Sequence, residues 1–277
     1  MFKKYKPFLR AGAMDILAFK FNLFTWLFVT VFEVACILFL WIAVYKNSPD
    51  GLDSVINGYT FKEMICYLVM INIFTFVIFS NNTMWQIKEE IKDGTIAMAF
   101  IKPISYRARF IFTNLGNVFM QTLLIGLPCF SIAYIVFICI GYIHIASIWI
   151  FLLHLILFLL ALLFATLLND VIDYIFGILC FYTSSGFGIS QIKSVIIGFC
   201  SGTLIPLAFF QGIFGKIIEY FPFAGLAQNP VLILLMKVDP IESLKLIGLS
   251  LAWLILLEGF AALLFRHASK KVTVQGG

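Results

Sequence analysis

The chain of 277 residues is 62% hydrophobic and only 12% charged, and its mean hydropathy is +1.04. A soluble domain usually carries about 45–50% apolar and about 25% charged residues, so the composition excludes a nucleic-acid-binding module, a disordered chain and a secreted disulfide scaffold. The net charge is +5, from 19 Lys and Arg against 14 Asp and Glu. The sequence therefore predicts an all-α membrane protein with a single transmembrane domain, residues 1–277.

The N-terminal residues 1–20 form an amphipathic pattern. Apolar residues recur at three- to four-residue spacing, and the basic residues occupy the other side: Phe2, Tyr5, Leu9, Ala13 and Ile16 against Lys3, Lys4, Lys6 and Arg10. Such a pattern is typical of a helix that lies in the membrane interface, with its cations near anionic headgroups. The alternative is a basic flank that only sets the topology of the first span.

Six apolar runs are long enough to be considered as membrane spans. About 20 apolar residues in a helix cross a hydrocarbon core of roughly 30 Å. The stretch from Tyr174 to Cys200 stays ambiguous, because it could form a seventh span or a long end of the fourth followed by a loop, Thr183–Lys193. Pro128 predicts a kink in the third run. The runs are Phe21–Tyr45, Phe61–Ser80, Phe110–Phe137, Ile148–Leu168, Val195–Phe210 and Leu244–Phe265.

The distribution of positive charge favours six spans. Both termini are basic, and basic segments stay in the cytoplasm, which requires an even number of spans. With six spans, 14 of the 19 Lys and Arg residues fall on the inner side. We therefore expect both the N- and the C-terminus to be cytoplasmic.

The cytoplasmic segment 81–106 is unusually organised for a loop. Gln86–Asp93 has the composition of a short helix, and Gly94 is well placed to end it. An apolar turn, Ile96–Ile101, follows, and Pro103 prevents simple continuation into the third span. A short polar helix at the inner ends of two spans would suit a transporter that receives force from a soluble partner.

At this segment the chain resembles a known family. The sequence EIKDGTIAMAFIKPIS is similar to the coupling helix of type-2 ATP-binding-cassette (ABC) exporter permeases, in the six-span daunorubicin-resistance-like branch. The basic N-terminal helix, the stretch Ser201–Phe210 and the stretch Tyr220–Pro230 resemble the same branch in the same order. One departure is the polar group Asn169, Asp170 and Asp173, which lies where such permeases are usually more apolar.

The resemblance implies a non-enzymatic subunit of a bacterial cell-membrane exporter, dimeric with itself or with a sister permease. Cytosolic ATPase subunits would bind ATP and Mg²⁺ and dock on the coupling helix. The chain itself has no G-x-x-x-x-G-K-[ST] phosphate loop. Amphipathic or hydrophobic cargo such as a drug, lipid or peptide would fit the apolar composition. The expected ATPase contacts are Gln86, Glu89, Glu90, Lys92, Asp93, Gly94, Lys102 and Pro103.

Ionisable residues within the spans are candidates for a translocation path: Glu33, Asp170, Asp173 and Glu258. A charge at the bilayer centre costs roughly 2.5–3.5 kcal/mol on insertion scales. We expect Glu33 to make a structural hydrogen bond to a neighbouring helix, and a cavity-facing carboxyl is its alternative. Asp170 and Asp173 share a helix face, where they could bind a cation or a basic substrate, or be solvated at headgroup level. His154 is expected to be a neutral packing residue.

The segment 211–239 is too irregular to face lipid, because its backbone groups would go unpaired. We expect it to form an extracellular or re-entrant cap, whose aromatic residues either anchor it at the interface or contribute to an exit gate. The residues proposed for the gate are Pro206, Phe209, Phe210, Phe221, Pro222 and Phe223.

Two other function classes are weaker. An ion-coupled secondary transporter would use the intramembrane carboxylates as relays, but no convincing similarity between the two halves of the chain supports it. A lipid-modifying membrane enzyme would need clustered catalytic groups, whereas the three His are scattered and the six Cys lie in apolar stretches without a CxxC pair. We therefore expect no metal site and no nucleic-acid partner.

Overall fold

The computed structural model describes residues 2–18, 20–80, 82–101, 103–143, 147–183 and 186–271. Helices dominate this part of the chain, and one two-stranded antiparallel hairpin pairs β1 (Val55–Ile56) with β2 (Tyr59–Thr60). The helices are α1 (Phe2–Ala18), α2 (Lys20–Lys46), α3 (Phe61–Ile78), α4 (Thr83–Lys92), α5 (Ile96–Ile101), α6 (Tyr106–Gln121), α7 (Leu127–Cys139), α8 (Ile148–Leu179), α9 (Gly186–Cys200), α10 (Gly212–Glu219), α11 (Gln228–Leu234) and α12 (Pro240–Ala268).

Within the described residues, five helical stretches are long and apolar enough to cross a membrane, which confirms an all-α membrane protein. The number of spans and the side on which each end lies stay predictions. The stretches are Phe28–Lys46, Phe61–Lys92, Tyr106–Cys139, Ile148–Leu179 and Pro240–Ala268.

The predicted bounds of the fifth span are wrong. The helix in this region, α9, begins at Gly186 and ends at Cys200, and residues 201–206 leave the helical path. The apolar run continues across that break, so hydropathy alone extends the helix to Phe210. The fourth span is also longer than predicted, since α8 continues without interruption through Asp170 and Asp173.

The third span is interrupted where Pro128 predicts it. A π-helical turn, Thr122–Gly126, joins α6 to α7, and Pro128 is at the start of α7. Proline has no N–H to donate to the preceding turn, and a π turn absorbs such a defect by inserting one extra residue. The two halves of this span can therefore face different neighbours.

The helix α1 is amphipathic as predicted, and its inner face packs against α6. The Tyr5 ring stacks on that of Phe112, with the ring centroids 5.1 Å apart. Gly12 and Gly116 bring the two backbones together: a Cβ on Gly12 would overlap the Thr113 carbonyl, and one on Gly116 would overlap the carbonyl of Leu9. The basic residues of α1 are exposed, so its location in a membrane interface stays a prediction.

The main core forms around α3 and α8. Met64, Met70, Ile71 and Phe74 of α3 are fully buried, and the Phe74 ring meets that of Phe158 in α8 edge to face. A Thr60–Glu63 capping box begins α3. In contrast, few side chains of the stretch Phe28–Lys46 in α2 are buried, Trp41 and Tyr45 among them. The bundle therefore has a well-packed interior and one span that touches little of its own chain.

Candidate functional site

The short helix predicted at Gln86–Asp93 is present as α4, which begins earlier, at Thr83. Its role in coupling stays a prediction. The helix ends at Lys92, Asp93 follows as the C-cap, and Gly94 has a φ of +70°, a conformation that glycine adopts without strain. The two faces of α4 differ in their exposure to solvent. Met84 and Ile87 are fully buried, and Ile87 lies directly against Gly177 of α8. Exposed positions form the other face: Gln86, Glu89, Lys92, Asp93 and Gly94.

The carboxylates of Asp170 and Asp173 lie at the N-terminal end of α4. Thr83 Oγ1 donates to Asp170 Oδ1 at 3.1 Å, and the Met84 N–H donates to Asp173 Oδ2 at 3.5 Å. The preceding residue, Asn82, makes no capping hydrogen bond with its side chain. Because the first N–H groups of a helix lack partners and carry partial positive charge, two carboxylates of α8 stabilise this end, which the Asn82 side chain does not cap.

Arg107 connects these carboxylates to two more helices. Its Nη1 lies 2.5 Å from Asp170 Oδ2, and its Nη2 lies 2.6 Å from Glu258 Oε1 in α12. The guanidinium also stacks over the Tyr174 ring, 4.7 Å from its centroid. Asn114 of α6 donates to Asp170 and, at 2.7 Å, to Thr83 Oγ1. A single buried carboxylate therefore joins α4, α6 and α8.

Asp173 has its own cation. The Lys193 ammonium of α9 forms an ion pair with Asp173, whose side chain is 2% exposed, while that of Asp170 is 1% exposed. Solvation by water, one of the two alternatives left open for these aspartates, does not fit this burial. We call this set of residues the charged junction: Thr83, Arg107, Asn114, Asp170, Asp173, Lys193 and Glu258.

A second attachment holds the other end of α4. Glu90 accepts hydrogen bonds from Arg109 at 2.6 Å and from the Tyr106 hydroxyl at 2.8 Å. The Tyr106 ring stacks on Phe265 of α12, with centroids 5.3 Å apart. Beside this contact lies a cavity of about 350 Å³ between α1, α4 and the start of α6. Its lining residues are Phe8, Glu90, Thr95, Met98, Ile104, Ser105, Tyr106 and Arg109.

Two residues expected at the ATPase contact lie after α5. Pro103 is exposed, and its carbonyl oxygen accepts a hydrogen bond from the Lys4 ammonium of α1. Lys102 lies outside the described residues. The structure therefore gathers the exposed face of α4, Glu90 and Pro103 on one region of the molecule, next to the N-terminal helix.

The other intramembrane polar residues have different surroundings. Glu33 is exposed on α2 and makes no hydrogen bond or ion pair within the described part of the chain, so the structural hydrogen bond expected for it is not seen. His154 is 3% exposed, and its ring nitrogens contact the carbonyl oxygens of Ile150 at 2.9 Å and Val238 at 3.0 Å. His154 therefore joins α8 to the turn before α12.

Residues 201–239, which we call the broken segment, contain only short helices and turns, yet residues 224–231 are all buried. Neutral groups hold this backbone. The Tyr67 hydroxyl donates to the Gly202 carbonyl at 2.7 Å, the Gln228 side chain accepts from the Leu207 N–H at 2.7 Å, and the Tyr134 hydroxyl donates to the Leu234 carbonyl at 3.0 Å. These bonds supply the partners that an irregular backbone needs away from water.

The six residues predicted for an exit gate lie in separate contacts. Phe209 meets the Trp41 ring edge to face at 5.1 Å, while Phe221 meets Trp253 at 6.3 Å between ring centroids. Phe210 contacts Phe214, Phe223 packs against a buried cluster that includes Leu168 and Leu226, and Pro206 and Pro222 are buried. Within this chain they do not form one aromatic plug, and the gate stays a prediction.

Tyr59 lies beside Phe209 in the same region. Burial, together with the nearby Glu63 carboxylate, raises the pKa of the Tyr59 phenol to about 12. Its ring centroid is 6.3 Å from that of Phe209. The phenol therefore stays neutral at physiological pH and packs as an aromatic residue.

Sequence reasoning missed the cationic half of the charged junction. In the sequence, Arg107 and Lys193 count only as positive charges on the inner side, and no pattern distinguishes Thr83 or Asn114. One signal was available, because two aspartates in an apolar helix need cations or hydrogen-bond donors close by. No group of three or more potential metal ligands occurs among the described residues.

Comparison with known proteins gives one match. A protein-family model described as "ABC-2 family transporter protein" matches residues 31–276. No curated protein and no solved structure matches the chain. The matched region includes α4, every residue of the charged junction and the broken segment.

Proposed function

Because the chain belongs to the ABC-2 transporter family, we propose that it is the membrane subunit of an ABC exporter driven by a separate ATPase that docks on α4. Membership of the family implies a multi-pass membrane protein that takes part in transport, and permeases of this family generally work with an ATPase partner. The observation that carries the proposal is α4 itself, exposed on one face and anchored on the other.

The two faces of α4 suit the transmission of force. A partner can contact the exposed face, which carries Gln86, Glu89 and Lys92, while the buried face packs Ile87 against α8. The neighbouring cavity offers space for a side chain of the partner next to Glu90 and Arg109. ATP and Mg²⁺ would be bound by that ATPase, on the cytoplasmic side of a bacterial cell membrane.

The exposure of α2 supports a dimer. Its apolar residues contact little of the chain, and Glu33 lies among them without a partner in the described residues. A carboxylate that faces lipid costs roughly 2.5–3.5 kcal/mol on insertion scales. A second permease copy or a sister permease that covers this face would lower that cost. An amphipathic or hydrophobic substrate would then cross between the two subunits, past Glu33 and an exit gate that includes Phe209.

The alternative is an ion-coupled secondary transporter, which needs carboxylates that are free to exchange protons or cations. Asp170, Asp173 and Glu258 each contact a basic side chain instead. Of the four candidate carboxylates, Glu33 is the one without such a contact in the described part of the chain. The ion pairs therefore favour transport powered by an ATPase.

Affinity purification of the full chain from its native membranes tests the proposal. We expect an ABC ATPase to co-purify, and Glu89→Lys on the exposed face of α4 to reduce its recovery at least tenfold. Glu242→Lys is the matched control, because Glu242 is exposed at the start of α12, and it should leave recovery unchanged. Absence of an ATPase from the wild-type preparation, or equal recovery with both variants, would contradict the proposal.

A further inference from the structure

We infer that Asp170 and Asp173 are positioning residues for energy coupling: they fasten the N-terminal end of α4 to the bundle and pass its displacement to the long helices. This inference rests on the proposed function, in which an ATPase moves α4. Asp170 and Asp173 therefore belong to the transmission of movement, whereas sequence reasoning placed them in the path of the substrate.

The attachment is made at a helix end that the side chain of Asn82 does not cap. Asn82 provides no side-chain hydrogen bond, and the donors of the first turn, Thr83 Oγ1 and the Met84 N–H, reach carboxylates of α8 instead. A capping residue inside α4 would travel with the helix. The carboxylates belong to α8. A displacement of α4 therefore pulls or pushes α8 through these hydrogen bonds.

Each carboxylate is then tied to other helices by a cation. Arg107 of α6 contacts both Asp170 and Glu258, so it links α8 to α12, and Lys193 of α9 contacts Asp173. Five helices therefore meet in the charged junction. The path of the movement is from α4 to α8 through Asp170 and Asp173, and from α8 to α6, α9 and α12 through Arg107 and Lys193.

Burial makes this connection stiff. Water cannot replace a lost partner at Asp170, whose side chain is 1% exposed, and an uncompensated buried charge is strongly unfavourable. The junction therefore resists opening when α4 is pushed, and the helices move with it. An exposed pair such as Glu242 and Lys245 would exchange its partner for water at little cost.

The test uses Thr83→Val, which removes one hydroxyl and keeps the side-chain shape. Thr166→Val is the matched control, because Thr166 is also buried but donates only to the Leu162 carbonyl of its own helix, at 2.8 Å. Thr83→Ser retains a hydroxyl and serves as the rescue. All variants are made in the full chain, purified with its ATPase and reconstituted in lipid nanodiscs.

The readout is a probe on the far end of the molecule. Ile241→Cys, at the exposed start of α12, carries a spin label, and the exposed Cys36 and Cys139 are replaced by Ser. We expect addition of ATP to change the mobility of the label in the otherwise unaltered protein and in Thr166→Val and Thr83→Ser. In Thr83→Val the change should fall at least fivefold, while ATPase recovery and ATP hydrolysis stay within about twofold.

The possible outcomes separate the two proposals. Absence of co-purifying ATPase, or of any ATP response in the unaltered protein, overturns the proposed function and this inference with it. A full ATP response in Thr83→Val overturns only the inference. Equal losses in Thr83→Val and Thr166→Val also overturn it, because they would show that any buried threonine matters to the same extent.

Discussion

The charged junction and the broken segment both hold short pieces of backbone against long helices, but their chemistry differs. In the junction, Asp170 and Asp173 are paired with Arg107 and Lys193. In the broken segment, hydroxyl and amide side chains bond to backbone groups of Gly202, Leu207 and Leu234. A buried charge depends on one particular partner, whereas a neutral group leaves a smaller deficit when its bond is lost. Loss of a side-chain partner is therefore expected to destabilise the protein more in the charged junction than in the broken segment.

The largest effect is expected for Arg107→Met. This change leaves Asp170 buried without its cation and removes the partner of Glu258, which should lower the free energy of unfolding by about 3–5 kcal/mol. Denaturant titration of the purified protein in detergent, followed by circular dichroism, measures the loss. Lys245→Met, which removes the exposed pair with Glu242, should shift the transition little, and equal shifts in the two variants would contradict the comparison.

In the broken segment, Gly202→Ala should lower the free energy of unfolding by about 2–4 kcal/mol. The φ of Gly202 is +81°, and a Cβ would lie 2.6 Å from Gln228 Oε1 and 2.7 Å from the Tyr67 hydroxyl, so backbone strain and overpacking add. Gly212→Ala separates the two causes, because Gly212 has a φ of +73° with no atom within 4 Å of its Cβ position. For that control, the same titration should show a loss of about 1–2 kcal/mol in the free energy of unfolding. A larger loss at Gly212 than at Gly202 would show that crowding plays no part.

A smaller loss, about 1–3 kcal/mol, is expected for Gln228→Leu. The change leaves the buried Leu207 N–H without its acceptor, while the apolar side chain fills a similar volume. Gln211→Leu, at an exposed position of the same segment, is the control and should be nearly neutral. If Gln228→Leu costs as much as Arg107→Met, then neutral and charged attachments do not differ in the way proposed.

The smallest effect, about 0.5–1.5 kcal/mol, is expected for Trp253→Phe. The indole N–H donates to the Tyr220 carbonyl at 2.7 Å, and its loss removes one neutral hydrogen bond while an aromatic ring stays beside Phe221. Trp149→Phe, at a side chain that is 78% exposed, provides the reference in the same unfolding assay. A loss that exceeds that of Gln228→Leu would mean that ring packing dominates here.

Local features of the sequence predict much of this fold. The apolar runs indicate the long helices, and the helix-forming residues before Gly94 indicate α4, because both depend on neighbours in the chain. The end of α9 at Cys200 was missed for the opposite reason. The turn after it is stabilised by Tyr67 and Gln228, which are distant in sequence, so an apolar run such as Val195–Phe210 carries no sign of the break.

In the candidate site, too, features set by neighbouring residues can be predicted, whereas contacts between distant residues cannot. Asp170 and Asp173 could be identified from the sequence as costly residues in an apolar helix, but not their partners. Arg107 and Lys193 lie in separate elements, and only the packing of α6 and α9 against α8 brings them close. An acidic pair in a span therefore predicts that cations are near, while their identity requires the three-dimensional arrangement.

The π-helical turn at Thr122–Gly126 changes the phase of the third span. Each residue of a regular helix advances by about 100°, so one additional residue turns everything after it through about that angle. Before the turn, Phe112 and Gly116 face α1; after it, Phe130 and Tyr134 face Phe158 and Phe151 of α8. The first half also reaches α8 through Asn114, so the span contacts α8 on both sides of the turn and α1 before it. Deleting one residue from this turn would keep the span helical but rotate its second half away from α8.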